Sequence, residues 1–472
     1  MFALGMKQHL LGFLTLALLI GYLFTGIGCA TIVPPEGGPR DTIPPRLLKA
    51  TPRDSTTNFT GKAIELHFNE YVDLQDVQRN ILFTPTFQVN PVIEAKLRTI
   101  TIKIRDTLEP NTTYTFNFGD AIKDINEGNV LRNFSYVFST GPRLDSLTLS
   151  GKVTVAETGK LDTTLTVLLY KKLTDSAVIN DRPRYLTKLN GRGEFTFKNL
   201  PSGTFAVYAL GDASGSHRYQ TKNQMFGFLD SAVVVKPGSA PVNILAYQET
   251  TAPTTAPAGG NTSPRGNTPA DKRLKYTHNA GSGLDLLGQL QLKFERSLKF
   301  VDSNQVHLTM DSTFKPVRFS TSLDSTRKTL TIKSNWEQGG FYRLLLGKGF
   351  AEDSVGRKLL RADTLKFNVL KTSDYGTLTI KVRNVDSKEH PILQFVQNNL
   401  VMFSAPISTG TFHADLFNPG DYELRVLYDA NNNGKWDPGK FFGKKRQPEI
   451  VKPIEKHIMV KPNWDNELEV SL

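Results

Sequence analysis

Apolar and polar residues alternate in short runs along most of the chain. Residues 99–104 read TITIKI and residues 114–118 read YTFNF. An apolar side chain at every second position is the period of a β-strand with one buried face. Clusters of Gly, Pro, Asn and Asp separate these runs, and no stretch after residue 30 shows a sustained helical period. The pattern predicts an all-β protein built from tandem β-sandwiches.

Part of this strand pattern occurs twice. The run IELHFNE at residues 64–70 recurs as LQLKFER at 290–296, and TITIK at 99–103 recurs as TLTIK at 329–333. An acidic loop at 121–131 recurs loosely at 350–360. Similar segments that recur in the same order along a chain indicate that one structural unit occurs more than once. The sequence therefore predicts that residues 44–142 and 274–370 share a fold.

A second pair of repeats follows the first. Residues 147–153 correspond to 378–382, and residues 193–205 (GEFTFKNLPSGTF) correspond to 410–422 (GTFHADLFNPGDY). Aromatic side chains at alternate positions face a core, and a turn containing Pro and Gly reverses the chain. These features predict two further β domains at 147–248 and 374–472. Between the halves, residues 249–273 carry almost no bulky apolar side chain and are predicted to form a flexible linker.

The N-terminus has the pattern of an export signal. Lys7 precedes an apolar run from Leu10 to Phe24, and small residues follow that run. The segment Thr25-Gly26-Ile27-Gly28-Cys29-Ala30 resembles a bacterial lipobox, and Cys29 is the single cysteine of the chain. This resemblance implies a signal peptide at 1–28, a lipid on Cys29 and a Pro- and Gly-rich tether at 29–43.

Two other interpretations of the N-terminus remain open. The 19 residues 10–28 are long enough for an uncleaved transmembrane helix, since ~30 Å of hydrocarbon requires about 20 residues. A soluble secreted product is the third alternative. All three place residues 30–472 outside the cytoplasm. Because the residue after Cys29 is Ala30 and not aspartate, the lipoprotein resemblance implies the outer membrane, on its periplasmic or its exposed side.

The predicted domains resemble two families. Residues 44–142 resemble the SbsA-type bacterial Ig-like domain through the segments Ile43-Pro44-Pro45, Ile64 to Glu70, Leu108 to Tyr114, Gly128-Asn129 and Phe138-Ser139-Thr140. The domains at 147–248 and 374–472 resemble carboxypeptidase-regulatory, transthyretin-like sandwiches through the motif G-x-F-x-F followed by P-x-G. Such modules serve as spacers and binding surfaces, which implies a non-catalytic protein.

Composition and charge exclude several functions. The chain has 472 residues, a net charge of +12 and one cysteine, so neither an internal disulfide nor a Cys/His zinc site can form. The basic residues are dispersed, and their densest cluster is Gly443-Lys444-Lys445-Arg446, which argues against a nucleic-acid partner. The motifs HExxH, GxSxG and GxxxxGK[ST] and the dinucleotide glycine fingerprint are absent from the sequence. No enzyme is predicted.

One segment has the spacing of a calcium loop. The predicted ligands lie at alternate positions, as D-x-N-x-N-G loops require: Asp429, Asn431, Asn433, Lys435 through its carbonyl, and Asp437. Lys440 stands where a closing glutamate would be, so a weak site with Kd about 10⁻⁴–10⁻³ M is expected. The competing interpretation is a metal-free hairpin turn, because Asn-Gly between apolar strands favours one. The loop with Asp124, Asn126, Glu127 and Asn129 is expected to be a solvated turn with Asx hydrogen bonds, and a bound cation is the alternative.

These observations predict an exported, lipid-anchored protein of four β domains that acts as a structural spacer or an adhesive, binding module. Its anchor implies a membrane partner, while the protein or glycan that it meets is left open. The alternative is a glycan-binding accessory protein of a surface polysaccharide-handling system that uses aromatic residues in the domains at 147–248 or 374–472. Trp336, Trp436 and Trp464 are able to stack on sugars, but packing in a core or a hairpin is favoured for them. A weaker alternative is a hydrolase with no recognisable signature. A serine near Asp212 and His217 makes a triad by composition only, because the three residues lie too close together on one turn.

Overall fold

A computed structural model describes residues 12–13, 15–16, 18–20, 40–250, 273–310 and 314–472. Within the described residues the chain is almost entirely β, as predicted. The helices α1 and α2 have four residues each, and three short 3-10 segments occur as well: Val77–Asn80, Ala177–Asn180, Ser303–Gln305, Thr372–Asp374 and Ser387–Glu389. In this described part, no helix combines the length and the apolar character needed to cross a bilayer.

The backbone divides into two compact units. The first unit comprises Met1–Leu82, Val89–Pro110 and Thr115–Thr140, and the second comprises Phe83–Gln88, Asn111–Tyr114 and Gly141–Leu472. Most of the first Ig-like repeat, which we call module 1, lies in the first unit. The three later groups of strands, modules 2, 3 and 4, lie in the second unit.

Module 1 has antiparallel sheets around an aromatic core. One sheet has the order β1-β2-β6-β5, another has the order β3-β8-β9, and β7 pairs with β10. Phe116 and Phe138 are fully buried and their ring centroids lie 5.5 Å apart. The strands are β1 Leu47–Thr51, β2 Ala63–Phe68, β3 Val72–Leu74, β4 Leu82–Thr84, β5 Val92–Lys96, β6 Thr99–Lys103, β7 Thr113–Gly119, β8 Ile122–Asp124, β9 Val130–Leu131 and β10 Phe134–Ser139.

Module 2 is built on one large sheet with the order β13-β12-β15-β16-β18-β11-β14, to which β17 adds through β15. The sheet is mostly antiparallel, but β11 runs parallel to β18. Its inner face carries Phe195, Phe197 and Phe205 in one buried cluster, as the aromatic alternation predicted. The strands are β11 Leu147–Val155, β12 Thr166–Tyr170, β13 Tyr185–Lys188, β14 Glu194–Leu200, β15 Gly203–Leu210, β16 Phe226–Phe228, β17 Val233–Val235 and β18 Val242–Tyr247.

Module 3 is a sandwich of two four-stranded sheets with an extra two-stranded pair. The sheet orders are β19-β20-β25-β24 and β23-β22-β26-β28, and β21 pairs with β27. Tyr342 stacks on Phe367 in the core, with ring centroids 5.7 Å apart. The strands are β19 Tyr276–His278, β20 Leu290–Phe294, β21 Leu298–Val301, β22 Val306–Met310, β23 Lys315–Pro316, β24 Ser320–Leu323, β25 Thr329–Lys333, β26 Phe341–Leu346, β27 Ala351–Asp353 and β28 Asp363–Asn368.

Module 4 packs a four-stranded sheet, β31-β30-β33-β34, on a three-stranded sheet, β32-β29-β35. As in module 2, the first strand runs parallel to the last, β29 beside β35. Phe395 contacts Phe412 and Phe417 between the sheets. The strands are β29 Gly376–Arg383, β30 Pro391–Gln397, β31 Leu400–Pro406, β32 Thr411–Phe417, β33 Gly420–Tyr428, β34 Ile450–Val460 and β35 Asp465–Ser471.

Modules 3 and 4 are joined by a buried tyrosine at their boundary. Tyr375 is 2 % exposed, and its hydroxyl donates to Asp285 Oδ1 at 3.0 Å while it accepts the Leu286 N–H at 2.7 Å. Burial, with the nearby Asp285 carboxylate, raises the pKa of Tyr375 to about 12. Its hydroxyl therefore stays protonated at neutral pH and fixes the two modules together.

Module 4 also contacts module 2 directly. The Val451 N–H donates to the Ala156 carbonyl at 2.9 Å, and Lys160 Nζ lies 2.8 Å from Glu423 Oε2. The second unit is therefore not a string of separate modules, because module 4 packs on module 2 although module 3 lies between them in the sequence.

Candidate functional site

The first sequence-predicted site residue, Cys29, lies outside the described residues. The second predicted site, the loop after strand β33, is described in full. It follows Tyr428, where β33 ends, and its backbone turns through left-handed conformations at Asn432 and Gly434. Glycine adopts this conformation without strain and asparagine tolerates it, which is why the Asn-Gly pair suits this turn.

Asp429 organises the loop from within. Its side chain is fully buried. Its two carboxylate oxygens accept the backbone N–H groups of Asn433 at 3.2 Å and Gly434 at 2.6 Å. A buried carboxylate that lost these donors would be costly, so the loop depends on Asp429 whether or not a cation binds.

Asp437 collects the two asparagine side chains of the loop. Its Oδ2 accepts Nδ2 of Asn431 at 2.5 Å and Nδ2 of Asn433 at 2.7 Å. The Lys435 N–H in turn donates to Asn433 Oδ1 at 2.7 Å. The structure thus brings four of the predicted ligand side chains into one hydrogen-bonded loop. Lys435 takes part through its backbone N–H.

Sequence reasoning missed Glu449. Its Oε1 accepts the Ala430 N–H at 3.0 Å, and its Oε2 accepts the Asp437 N–H at 2.9 Å. Burial, followed by the nearby Asp429 and Asp437 carboxylates, raises the pKa of Glu449. A standard calcium loop would place its closing carboxylate at position 440, which is Lys440 here. Glu449 instead lies 12 residues after Asp437, beyond an insertion that no motif predicts.

The loop has oxygen donors that suit a hard cation, but its carboxylates are not gathered around one point. Across the described residues, no group of three or more His, Cys, Asp or Glu side chains is arranged to hold a metal ion. Two amides, two aspartates and a peptide carbonyl remain as donors, a set that calcium accepts at low affinity. Both sequence interpretations, a weak calcium loop and a metal-free turn, therefore stay open.

In each of the four modules, an aspartate with a buried side chain organises the loop that follows it. Asp124, Asp212, Asp353 and Asp429 each accept two or more backbone N–H groups from residues that follow them. The turn after Asp124 has the expected Asx hydrogen bonds and exposed residues at Ile125, Asn126 and Gly128, but the Asp124 side chain that organises it is buried, at 1 % exposed. Burial disfavours its charge, but the N–H groups of Gly128, Glu127 and Asn129 outweigh burial, and the pKa of Asp124 is lowered.

The loop of module 2 does not form a catalytic triad. Asp212 Oδ2 lies 3.0 Å from His217 Nδ1, as an orienting pair would. The hydroxyls of Ser214 and Ser216, however, both donate to Asp212 Oδ1, at 2.9 and 3.4 Å. Because a nucleophile must reach the histidine and not its carboxylate partner, this arrangement organises the loop and has no catalytic geometry.

The three tryptophans do not form a shared surface. Trp336 Nε1 donates to the Gly288 carbonyl at 3.0 Å, and Trp436 Nε1 donates to the Glu449 carbonyl at 2.8 Å, so both are tied into their own modules. Trp464 alone is largely exposed, at 63 %, with Lys461 over its ring. A glycan platform of several coplanar aromatics is not built from these residues.

Comparison with solved structures finds distant similarity to several proteins, among them a pilin subunit and an S-layer protein. The Bacillus anthracis TIE protein is 11 % identical, with 93 % of this chain and 76 % of that chain covered and a TM-score of 0.17. BcpA, the major pilin subunit of Bacillus cereus, is 11 % identical, with 70 % and 99 % covered and a TM-score of 0.18. The S-layer protein rSbsC is 12 % identical, with 90 % and 54 % covered and a TM-score of 0.16. Scores this low assign neither an arrangement of modules nor a function.

Comparison with curated proteins gives no match. One family model matches the chain, over residues 41–140, which are 100 of its 472 residues. This range contains the sheets and the aromatic core of module 1, so the Ig-like resemblance of that segment is confirmed. Residues 41–140 of this protein match the bacterial Ig-like domain family.

Proposed function

We propose that this protein is a non-catalytic lipoprotein of a bacterial cell envelope, anchored through Cys29 and presenting its β modules as a binding surface. The bacterial Ig-like match of residues 41–140 carries this proposal, because a segment with the pattern of an export signal precedes it in the chain. The transthyretin-like resemblance of modules 2 and 4 supports it, since such sandwiches commonly present loops to partners.

The packing of module 4 on module 2 favours a binding surface over a simple spacer. A spacer gains reach by extending its modules in series. Here Lys160 and Glu423, which lie in modules 2 and 4, form an ion pair at 2.8 Å. A fold-back of this kind shortens the reach and holds loops from different modules in a fixed relation, which suits recognition.

Replacement of the predicted lipid acceptor tests the proposal. Cys29→Ala is expected to abolish incorporation of a fatty-acid label and to move the protein from the membrane to the soluble fraction, because no other thiol exists in the chain. Thr31→Ala, two residues away, is the matched control and should be labelled normally. Unchanged labelling of Cys29→Ala would refute the anchor. A wild-type protein that carries no label and is fully retained in the membrane would instead support the uncleaved helix.

We also propose that the loop from Asp429 to Asp437 binds calcium weakly, and that bound calcium stabilises module 4. Because Asp429 already holds the metal-free loop, its removal cannot separate the two interpretations. Asp437 is the better probe. An asparagine at 437 keeps an oxygen that can accept from Asn431 and Asn433 but removes one negative charge from the donor set.

In about 10 mM calcium, the wild-type free energy of unfolding should exceed its value in chelator by about 1–3 kcal/mol, as a Kd of about 10⁻⁴–10⁻³ M requires. Asp437→Asn should lose most of this gain and unfold like the wild type in chelator. Denaturant titrations at matched ionic strength measure both quantities. A wild-type protein that is equally stable in calcium and in chelator would leave the metal-free turn as the correct interpretation.

A further inference from the structure

A segment of module 4 inserts an aromatic side chain into module 2. Residues 438–449, which we call the docking finger, leave module 4 after the Asp429 loop and return at β34. Phe441 in this finger is fully buried. Its ring centroid lies 5.5 Å from Tyr208, 5.0 Å from Phe226 and 5.2 Å from Phe228, all in module 2.

The receiving surface is the outer face of the module 2 sheet, opposite the sandwich core. Along β15, Phe205 and Val207 belong to the buried core cluster, whereas Tyr208 points to the other face and is still only 4 % exposed. A strand that is buried on both faces has apolar residues at consecutive positions. The sequence FAVYAL at 205–210 in β15 has this pattern. We call Tyr208, Tyr219, Phe226, Phe228 and Tyr247 the aromatic groove.

Polar contacts surround this aromatic centre. Lys445 Nζ lies 2.6 Å from Asp175 Oδ1, and Gln447 Nε2 donates to Asp230 Oδ1 at 2.8 Å. Beside them, Phe442 stacks on Tyr219 with centroids 6.1 Å apart. A desolvated aromatic anchor inside a polar rim is the anatomy of a specific protein interface.

The finger is held in shape by its own module. Lys440 and Arg446 exchange two backbone hydrogen bonds, at 2.8 and 2.9 Å, which close the tip that carries Phe441. At its base, the Glu449 carboxylate accepts the Asp437 N–H at 2.9 Å, and the Glu449 N–H donates to the Asp437 carbonyl at 3.1 Å. A preformed tip loses little conformational entropy on docking, which strengthens the contact.

The charges of the two surfaces are complementary. The finger carries the densest basic cluster of the chain, Lys444-Lys445-Arg446, and the rim of the groove supplies Asp175 and Asp230. Lys445, at the centre of this basic cluster, thus has an acidic partner within the protein.

We propose that the aromatic groove of module 2 is a docking site for a hairpin tip with two adjacent aromatics followed by basic residues, and that the finger of module 4 occupies it in cis. Modules 2, 3 and 4 are thereby closed into one unit by non-covalent contacts, with the chain between modules 2 and 3 as a dispensable connection. Any external ligand of the groove has to share this chemistry and displace the finger.

Cleavage of the full chain between modules 2 and 3 tests the closure. A protease recognition sequence is placed within residues 251–272, the purified protein is cut, and the mass of the native product is measured by size-exclusion chromatography with light scattering. The cut wild-type protein is expected to remain one particle with the mass of one intact chain at micromolar concentration. Separation into two fragments would overturn the proposal, and a particle of twice that mass would overturn docking in cis.

Variants identify the contacts responsible. Phe441→Ala should weaken association of the cut fragments about 100-fold or more, because it removes a fully buried aromatic anchor. Lys445→Glu should weaken it about tenfold by placing like charges together, and Asp175→Lys in the same chain should restore it. Lys444→Glu is the matched control, one residue away and exposed, and should leave association unchanged. Equal behaviour of the Lys444 and Lys445 variants would refute the proposed rim.

A peptide probe tests the groove without relying on dissociation. A fluorescent peptide with the sequence of residues 438–449 should bind uncut Phe441→Ala protein, whose groove has lost its anchor, and should not bind uncut wild-type protein. The same peptide with alanine at both phenylalanine positions is the control. Failure of the intact peptide to bind the variant, whose melting profile is checked beforehand, would contradict a groove that recognises aromatic tips. None of these outcomes depends on the lipid anchor.

Discussion

Gly151→Ala is expected to destabilise module 2 by about 3 kcal/mol or more, one of the two largest single-residue effects that we expect in this protein. Gly151 lies in β11 between two neighbours, opposite Phe195 of β14 and Val242 of β18. A Cβ atom there would stand 2.1 Å from the Val242 carbonyl oxygen and 2.6 Å from the Phe195 ring. The ring can rotate, but the carbonyl belongs to the parallel ladder, so the strands would have to separate.

Gly191→Ala provides the matched control for this effect. It lies in the same module, and a Cβ atom there would meet nothing within 4 Å. Denaturant unfolding followed by circular dichroism should show a large loss for Gly151→Ala and a change within about 0.5 kcal/mol for Gly191→Ala. Comparable stability of the two variants would show that β11 and β18 adjust more easily than close packing allows.

The sequence repeat matches segments that the structure shows in the same strand register in modules 2 and 4, but it does not indicate how closely their neighbours pack. Gly151 pairs with Phe195 and Val242, and Ile380 in module 4 pairs with Phe412 and Leu468 in the same register. An alignment would therefore suggest that isoleucine fits at 151. Whether a Cβ has room depends on the exact distance of a carbonyl in a distant strand, which no local pattern encodes.

The β-strands could be predicted because each strand shows its buried face in its own sequence. The contacts of Glu449 and Phe441 could not, for a different reason. Glu449 reaches the Asp429 loop across an insertion, and Phe441 is buried by a module more than 200 residues earlier in the chain. Such contacts depend on how modules meet. The apolar run at 205–210 was a usable signal of a second buried face, although it does not name what covers that face.

The four organising aspartates lead to the second large effect. Asp124→Ala is expected to destabilise module 1 by about 4 kcal/mol at neutral pH. The wild-type carboxylate accepts three backbone N–H groups, from Glu127 at 2.6 Å, Asn129 at 2.8 Å and Gly128 at 2.9 Å, while it is almost fully buried. Alanine removes the carboxylate that accepts from all three backbone N–H groups and holds the loop closed. Asp124→Asn should be intermediate, because its single amide oxygen is neutral.

The pH dependence of this effect has a defined sign. Since the pKa of Asp124 is lowered in the folded protein, its contribution to stability is present above the unfolded value of about 3.9 and is lost as pH falls through the lower folded pKa. The difference between wild type and Asp124→Ala should therefore be full at pH 7 and shrink toward pH 2. Asp120→Ala, at an exposed position of the same module, is the control and should show little loss at any pH.

The titration of Glu70 reports independently on the charge of the Asp124 carboxylate. Burial, and next the Asp124 carboxylate, raise the pKa of Glu70. If Asp124 is ionised in the folded module, Asp124→Asn should lower the pKa of Glu70 toward its ordinary value, which NMR titration of the Glu70 carboxyl can follow. An unchanged Glu70 titration together with an unchanged melting profile would mean that the loop closes without the charge. In that case the buried aspartates of the other modules would lose their shared explanation as well.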